Sequence, residues 1–429
     1  MYFIGQRCVF SCISWKETTD HVVFGYMITK KQLRNHISLI MYVLMITGMF
    51  SGCRENKEAD TRETDAMKNR QEEQAGYLFV GTYTKKEGHV YGKADGIDVF
   101  RVSGGGELEK IATEKQVINP SYLTLSSDGN YLYAVNETGP DVDTTGSVSA
   151  FRINPANGNL ELINSRSSHA FAPCYITLDA RDRLALITNY TGGVVAAYPI
   201  QSNGALGEAS QVIRLEGQGP VTTRQESSHP HSVNISPEGT FAYVADLGTD
   251  KIMIYRIDYE KNRLIPAVSP YFEMDPGAGP RHMAFHPLGK YVYVINELNN
   301  TIAALRYDDK TGQLEAVHTV NTLPDDFEGD SYTADIHITD DGRFLYGSNR
   351  GHNSIVAYRI APESGHLTTL GHEPTRGEFP RNFLIDGKNL YVANQNSDNV
   401  VLFRILDSGK LEYVKEFEAK TPVCLKIRL

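Results

Sequence analysis

Cysteine is scarce, with 5 in 429 residues. Cys174 and Cys424 fall inside predicted strands without framework spacing, so disulfides do not staple this fold. No long basic stretch occurs, and 42 Lys+Arg against 52 Asp+Glu leave the chain mildly acidic. A nucleic acid exchanges its counterions for clustered cations, so it is not an expected partner. Compact metal-ligand spacing is also missing. The nearest approach is His229 and His231, and two histidines two apart on a turn are more often ordinary hydrogen-bonding residues. Neither a metal nor an organic cofactor is expected.

The one long apolar run, Ile37 to Phe50, is too short to cross a bilayer comfortably, which takes about 20 apolar residues. It follows Lys30, Lys31 and Arg34 and ends in Ser51-Gly52-Cys53, the pattern of a secretory signal. A cysteine directly after small residues resembles a bacterial lipobox, which makes Cys53 the expected lipidation site. A plain cleavable signal or a short anchor helix is the competing reading. Met27 would begin a signal of ordinary length, so residues 1–26 read as an over-extended start. Residues 54–75 alternate acid and base with almost no apolar side chain and read as a flexible tether. The expectation is a monomer in the cell envelope that meets the membrane only through its lipid anchor.

From residue 77 onward one pattern recurs, an alternating apolar strand that ends in a polar residue. It ends at Thr82, Asn136, Asn189, Asp246, Asn296, Asn349 and Asn394, in steps of 54, 53, 57, 50, 53 and 45. Seven copies at this spacing predict an all-β, seven-bladed β-propeller over residues 76–429. A second strand follows each copy and in most ends in a near-identical tripeptide, as in Phe151-Arg152-Ile153 and Tyr358-Arg359-Ile360, with Leu305-Arg306-Tyr307 in the fifth and Tyr198-Pro199-Ile200 in the third. In most blades a Gly-x-Leu turn into a fourth strand comes next, as at Gly312-Gln313-Leu314. Before each copy lies another strand, opened by Pro120, Pro173, Pro230, Pro280, Thr333, Pro380 or Pro422, with apolar residues at period two. The strand from Pro422 has no later blade to join, and the first blade lacks an opening strand. The C-terminal strand is therefore expected to complete the first blade and close the four-stranded sheets into a ring.

In an antiparallel blade the first strand starts where the second ends, so both sets of residues gather on one rim. Strand starts supply Asn119, His229, His231, Arg281, His282, Asp335, Arg381 and Asn382; strand ends supply Tyr83, Glu137, Tyr190, Asp246, Glu297, Arg350 and Gln395. A residue found in nearly every blade serves the scaffold, which covers the recurring arginines and the strand-end asparagines. His231, Arg281, Glu297 and Arg350 differ from their register mates and are the catalytic candidates. His229, His282, Glu137 and Arg381 are candidate substrate contacts on the same rim.

The Tyr77-to-Tyr83 opening, His229-Pro230-His231, Gly279-Pro280-Arg281-His282 and Asn296-Glu297 resemble the bacterial lactonase family of seven-bladed propellers. That family is of the 6-phosphogluconolactonase type and is related to a fungal carboxy-muconate lactonizing enzyme. In the muconate relative a histidine, two arginines and a glutamate have been proposed to form the site. The resemblance implies His231 or His229, Arg281, Glu297 and Arg350 for those roles. It implies hydrolysis of a sugar lactone, 6-phospho-D-glucono-1,5-lactone to 6-phosphogluconate, with the lactone as the only partner. The export signal departs from the family's cytoplasmic members.

Opening a six-membered ester needs a base for water and donors for the developing oxyanion. Glu297 or His231 serves as the base in this reading, and Arg281 with Arg350 binds phosphate or the oxyanion. Three rivals stand beside it. One is a non-catalytic envelope propeller that displays its rim to a partner. Another is a lactone cycloisomerase built on the same cluster. The last imitates calcium-dependent propellers through Glu137, Asn189 and Asp246.

Overall fold

Strands opened by proline and patterned at period two form antiparallel sheets, and no helix occurs among the described residues. The computed structural model describes residues 76–88 and 90–429. The expected export signal over 1–53, its Cys53 end and the tether over 54–75 lie outside the described residues.

Seven four-stranded sheets follow one another along the chain. Blade 1 is assembled from both ends of the described chain. Pro422–Arg428 pairs with Gly76–Thr82, which pairs with Ile97–Val102, which pairs with Leu108–Glu114. Blades 2 to 7 are each continuous, over 120–167, 173–214, 230–273, 280–321, 332–374 and 380–418. The first strand of every blade touches the first strands of both neighbouring blades, so seven of them surround a central channel. The expected closure by the C-terminal strand is what the structure contains, with Val80 opposite Leu425 and Tyr77 opposite Arg428. Val423, Cys424 and Leu425 of that strand are buried.

The blades are fastened by one repeated pair. A tyrosine near the middle of the second strand donates its hydroxyl to a glycine carbonyl in the outer turn of the next blade. It recurs as Tyr133 to Gly204, Tyr243 to Gly312, Tyr293 to Gly365, Tyr346 to Gly409 and Tyr391 to Gly106, at 2.9–3.1 Å. Gly312 shows why the turn needs glycine: its φ is +75°, and an added Cβ would lie 2.7 Å from the Phe241 ring. The recurring arginines are outward-facing, as in the exposed Arg306–Glu315 pair at 2.9 Å across neighbouring strands. Strand-end asparagines hold turns: Asn189 Nδ2 donates to the Ser168 and Val194 carbonyls, and Asn349 Nδ2 to the Thr322 carbonyl.

Candidate active site

The same irregularity sits at the start of every first strand. Where the strand leaves its proline, or Thr333 in blade 6, the pairing register shifts and at least one residue bulges out of the ladder. A bulge bends the strand and re-aims the extra side chain. The residues so placed are Val423, Ser121, Cys174, His231, Arg281 and Arg381, with Ala334 and Asp335 in blade 6. They ring one mouth of the channel, and six of them line a small recess at its centre. Only the bulges of blades 4 to 7 carry ionisable groups suited to acid-base or anion chemistry.

Glu297, just past the end of the second strand of blade 5, is the hub of the charges there. Its Oε2 accepts from Arg281 Nε at 3.0 Å and from Arg350 Nη2 at 2.6 Å, while Oε1 accepts from Arg224 Nη2. Burial works against its charged form. Arg350, Arg281 and Arg224 outweigh burial and hold the carboxyl well below the usual carboxylate range. Arg281 is also held from its other side, since Nη1 donates to the Ala334 carbonyl at 2.7 Å and meets His282 Nε2 at 3.1 Å. Arg350 Nη2 donates further to the Thr333 carbonyl at 2.8 Å, and its guanidinium lies over the Phe379 ring. Burial, and after it Arg281 and Arg381, bring Arg350 down to about 9, so it stays charged at neutral pH.

His282 turns away from the mouth. Its Nδ1 faces Asp335 Oδ1 at 2.7 Å and its Nε2 faces the Arg281 donor, an arrangement that fits a neutral ring protonated at Nδ1. Burial first, then Arg281, pushes it down to about 4. Below the bulges Tyr122 and Tyr175 stack at 4.2 Å, with the His282 ring edge-on to both. They separate the mouth from a second cavity of about 310 Å³, lined by Phe285, His337, Ile338 and Asp340.

His231 has the opposite character. It is buried, its Nδ1 lies 4.0 Å from Cys174 Sγ, and its ring meets Tyr190 and His282 edge-on. Its Nε2 has no hydrogen-bond partner among the described residues, and the ring lines the cavity. Burial, then the charge of Arg281 and the neighbouring His282, depresses it well below the ordinary histidine range. Across the floor Arg381 makes one hydrogen bond among the described residues, from Nη2 to Tyr83 Oη at 3.3 Å; Tyr83 in turn donates to Glu137 Oε2 at 2.7 Å. Its other donors make no hydrogen bond among the described residues, and the side chain lines the cavity.

These groups open into a cavity of about 570 Å³, which suits a sugar-sized ligand. Of the residues singled out in the sequence, His231, Glu297, Arg350, Glu137 and Arg381 line it. Arg281 and His282 lie one layer beneath. His229 stacks on the back of Tyr190 at 4.5 Å and holds the Tyr190 carbonyl and Glu226, away from the cavity. Sequence reasoning passed over Arg224, Tyr332 and Phe379, which form the upper wall. Arg224 lies in the 215–229 connection outside the repeat; its only trace was the step of 57 residues, the longest of the six.

The calcium-like set does not converge. Asp246 accepts from Ser228 Oγ, His229 N and Gly248 N, and neither Asp246 nor Asn189 lines the cavity that Glu137 faces. Among the described residues no three His, Cys, Asp or Glu side chains are grouped to hold a metal ion.

Comparison with known proteins agrees with this architecture. The family model "Lactonase, 7-bladed beta-propeller" matches residues 77–427. A 6-phosphogluconolactonase of Formosa agariphila is 37% identical over 343 residues, which is 78% of this chain and 94% of that protein. A 6-phosphogluconolactonase of Bacillus subtilis is 34% identical over 357 residues, 81% of this chain and 97% of that protein. The structure of a periplasmic gluconolactonase from Pseudomonas aeruginosa superposes with a TM-score of 0.76 at 32% identity, covering 82% of this chain and 99% of that one. On fold, length and sequence together, the chain belongs to the lactonase family of seven-bladed β-propellers.

Proposed function

We propose that this protein hydrolyses a sugar 1,5-lactone, with 6-phospho-D-glucono-1,5-lactone as the principal substrate. The names carried by its relatives support the substrate class. The observation that carries the chemistry is the pairing of an uncharged His231, which lines the cavity and whose Nε2 has no hydrogen-bond partner among the described residues, with an Arg381 that uses only one donor there.

His231 Nε2 takes a proton from water as its oxygen bonds to the lactone carbonyl carbon. The carbonyl oxygen gains the charge, and Arg381 donates to it. The tetrahedral intermediate then expels the ring oxygen, which receives the proton from His231, and the open-chain acid loses its own proton to solvent. Glu297 is a poor base because both of its oxygens already accept from guanidiniums. Its contribution is to neutralise and orient Arg350 and Arg281. The expected export signal and the periplasmic relative also support an envelope location, with Cys53 as the anchor; Cys53→Ser should release the protein from the membrane fraction.

A pH-stat assay with spontaneous hydrolysis subtracted tests the activity. Acceleration of 6-phosphoglucono-1,5-lactone or glucono-1,5-lactone opening is the expected result, and no acceleration of either overturns the reading.

A further inference from the structure

The cavity is electrically two-sided. Its carboxylates other than Glu297 come from blades 1 and 2: Glu87 in the hairpin of Lys86–Glu87 with Val90–Tyr91, Glu137 past the end of Tyr131–Asn136, and Asp141 in the following loop. Glu87 is raised by burial and then by Glu137 and Asp141, a sign that the three acids share one wall. Asn119 fixes that wall, with Nδ2 donating to Glu87 Oε1 at 2.8 Å and to the Glu137 carbonyl at 2.9 Å. Across the ring stand Arg224, before blade 4, and Arg350, at the end of Phe344–Arg350 in blade 6.

Only one of the four arginines at this mouth suits an exocyclic group at the opening. Arg281 and Arg350 are buried against Glu297, and Arg381 lies on the floor beside Tyr83. Arg224 has a side chain 35% exposed, uses Nη2 on Glu297 and Tyr190 Oη, and makes no hydrogen bond through Nε or Nη1 among the described residues. It does not sit on a loose loop. Gln225 beside it is buried, accepts from Val221 N, and donates to the Leu247 carbonyl and Asp250 Oδ1. A rigid mount reduces the ordering cost of gripping an anion.

We propose that Arg224 is the phosphate anchor of this site, and that the Glu87–Glu137–Asp141 wall sets the polarity of binding. The lactone carbonyl lies at the floor by His231 and Arg381. The C6 phosphate rises along the Arg224 side, and ring hydroxyls face the carboxylates, which accept hydrogen bonds from hydroxyls and repel phosphate. The assignment rests on the lactonase reading, which it extends to the phosphorylated end of the substrate.

The test compares the parent protein, Arg224→Ala, Arg224→Lys and the double variant Glu87→Gln/Asp141→Asn on 6-phosphoglucono-1,5-lactone and glucono-1,5-lactone. Arg224→Ala lowers kcat/KM on both, because it also loosens Glu297. The loss on the phosphorylated lactone should be greater by a further tenfold to hundredfold, roughly the worth of a charge-assisted hydrogen bond, and should appear in KM. Arg224→Lys should recover part of that preference. Inorganic phosphate should bind the parent in calorimetry, bind more tightly to the double variant, and fail to bind Arg224→Ala. Equal losses on the two lactones, or unchanged phosphate binding, would overturn the anchor. A parent that opens neither lactone but binds phosphate through Arg224 would sink the hydrolase reading and keep the anchor. Melting curves confirm that each variant is folded.

Discussion

The seams between blades and the mouth of the channel use the repeat in opposite ways. At the seams one tyrosine-to-glycine bond recurs five times with almost the same length. At the mouth one backbone irregularity recurs in every blade, yet its side chain changes from Val423 to Ser121, Cys174, His231, Arg281 and Arg381. Five of the seven seams satisfy the same geometry, so their residues are interchangeable. The mouth receives one bulged side chain, or in blade 6 two, from each blade at a fixed position, so each is free to differ. The repeated backbone supplies the preorganisation, and the unrepeated side chains supply the chemistry.

Breaking the ring should have the largest effect. Deletion of residues 421–429 removes the partner of Gly76–Thr82 and uncovers buried apolar surface. Loss of cooperative thermal melting is expected, and an unchanged melting curve would refute the closure. Glu297→Gln comes next, because it leaves buried guanidiniums without their counter-charge. A stability loss of about 3–5 kcal/mol should accompany the loss of lactonase activity in denaturant titrations.

Acid should act through the mouth as well. His231 and His282 are both held below their unfolded value, so the unfolded chain binds more protons as pH falls. Stability should decline from about pH 6.5 towards pH 4, with His282 alone accounting for on the order of 3 kcal/mol. His282→Gln should flatten that slope in melting curves recorded across the range. At a seam the effects are smaller. Gly312→Ala should cost about 1–3 kcal/mol through its positive φ, with a clash against Phe241 added. Tyr243→Phe should cost about 1 kcal/mol, the worth of its bond to Gly312, and leave lactonase kinetics unchanged.

The fold was legible because seven copies reinforce one another. Period-two apolar residues, opening prolines and the surplus strand at Pro422 led directly to the ring and its closure. The site was legible only as a rim. Arg281 and Arg381 each follow a proline in equivalent register, so spacing alone cannot tell that one lies under Glu297 and the other faces the cavity. His229 and His231 flank the same proline, yet only His231 occupies the bulge. Arg224 stands outside the repeat with no register mate to contrast with, and its role depends on a connection whose path the pattern does not encode. The Tyr243-Gly312 bond was hidden differently: both motifs were visible, but their pairing spans two blades.

Steady-state hydrolysis of glucono-1,5-lactone by His231→Asn, beside the parent and with the spontaneous rate subtracted, tests the central claim most directly. Asparagine cannot take the proton from water, so kcat/KM should fall by roughly 10²–10⁴-fold while the melting temperature at pH 8 stays the same. A variant that keeps the parent's rate would contradict the assignment of the base at this mouth.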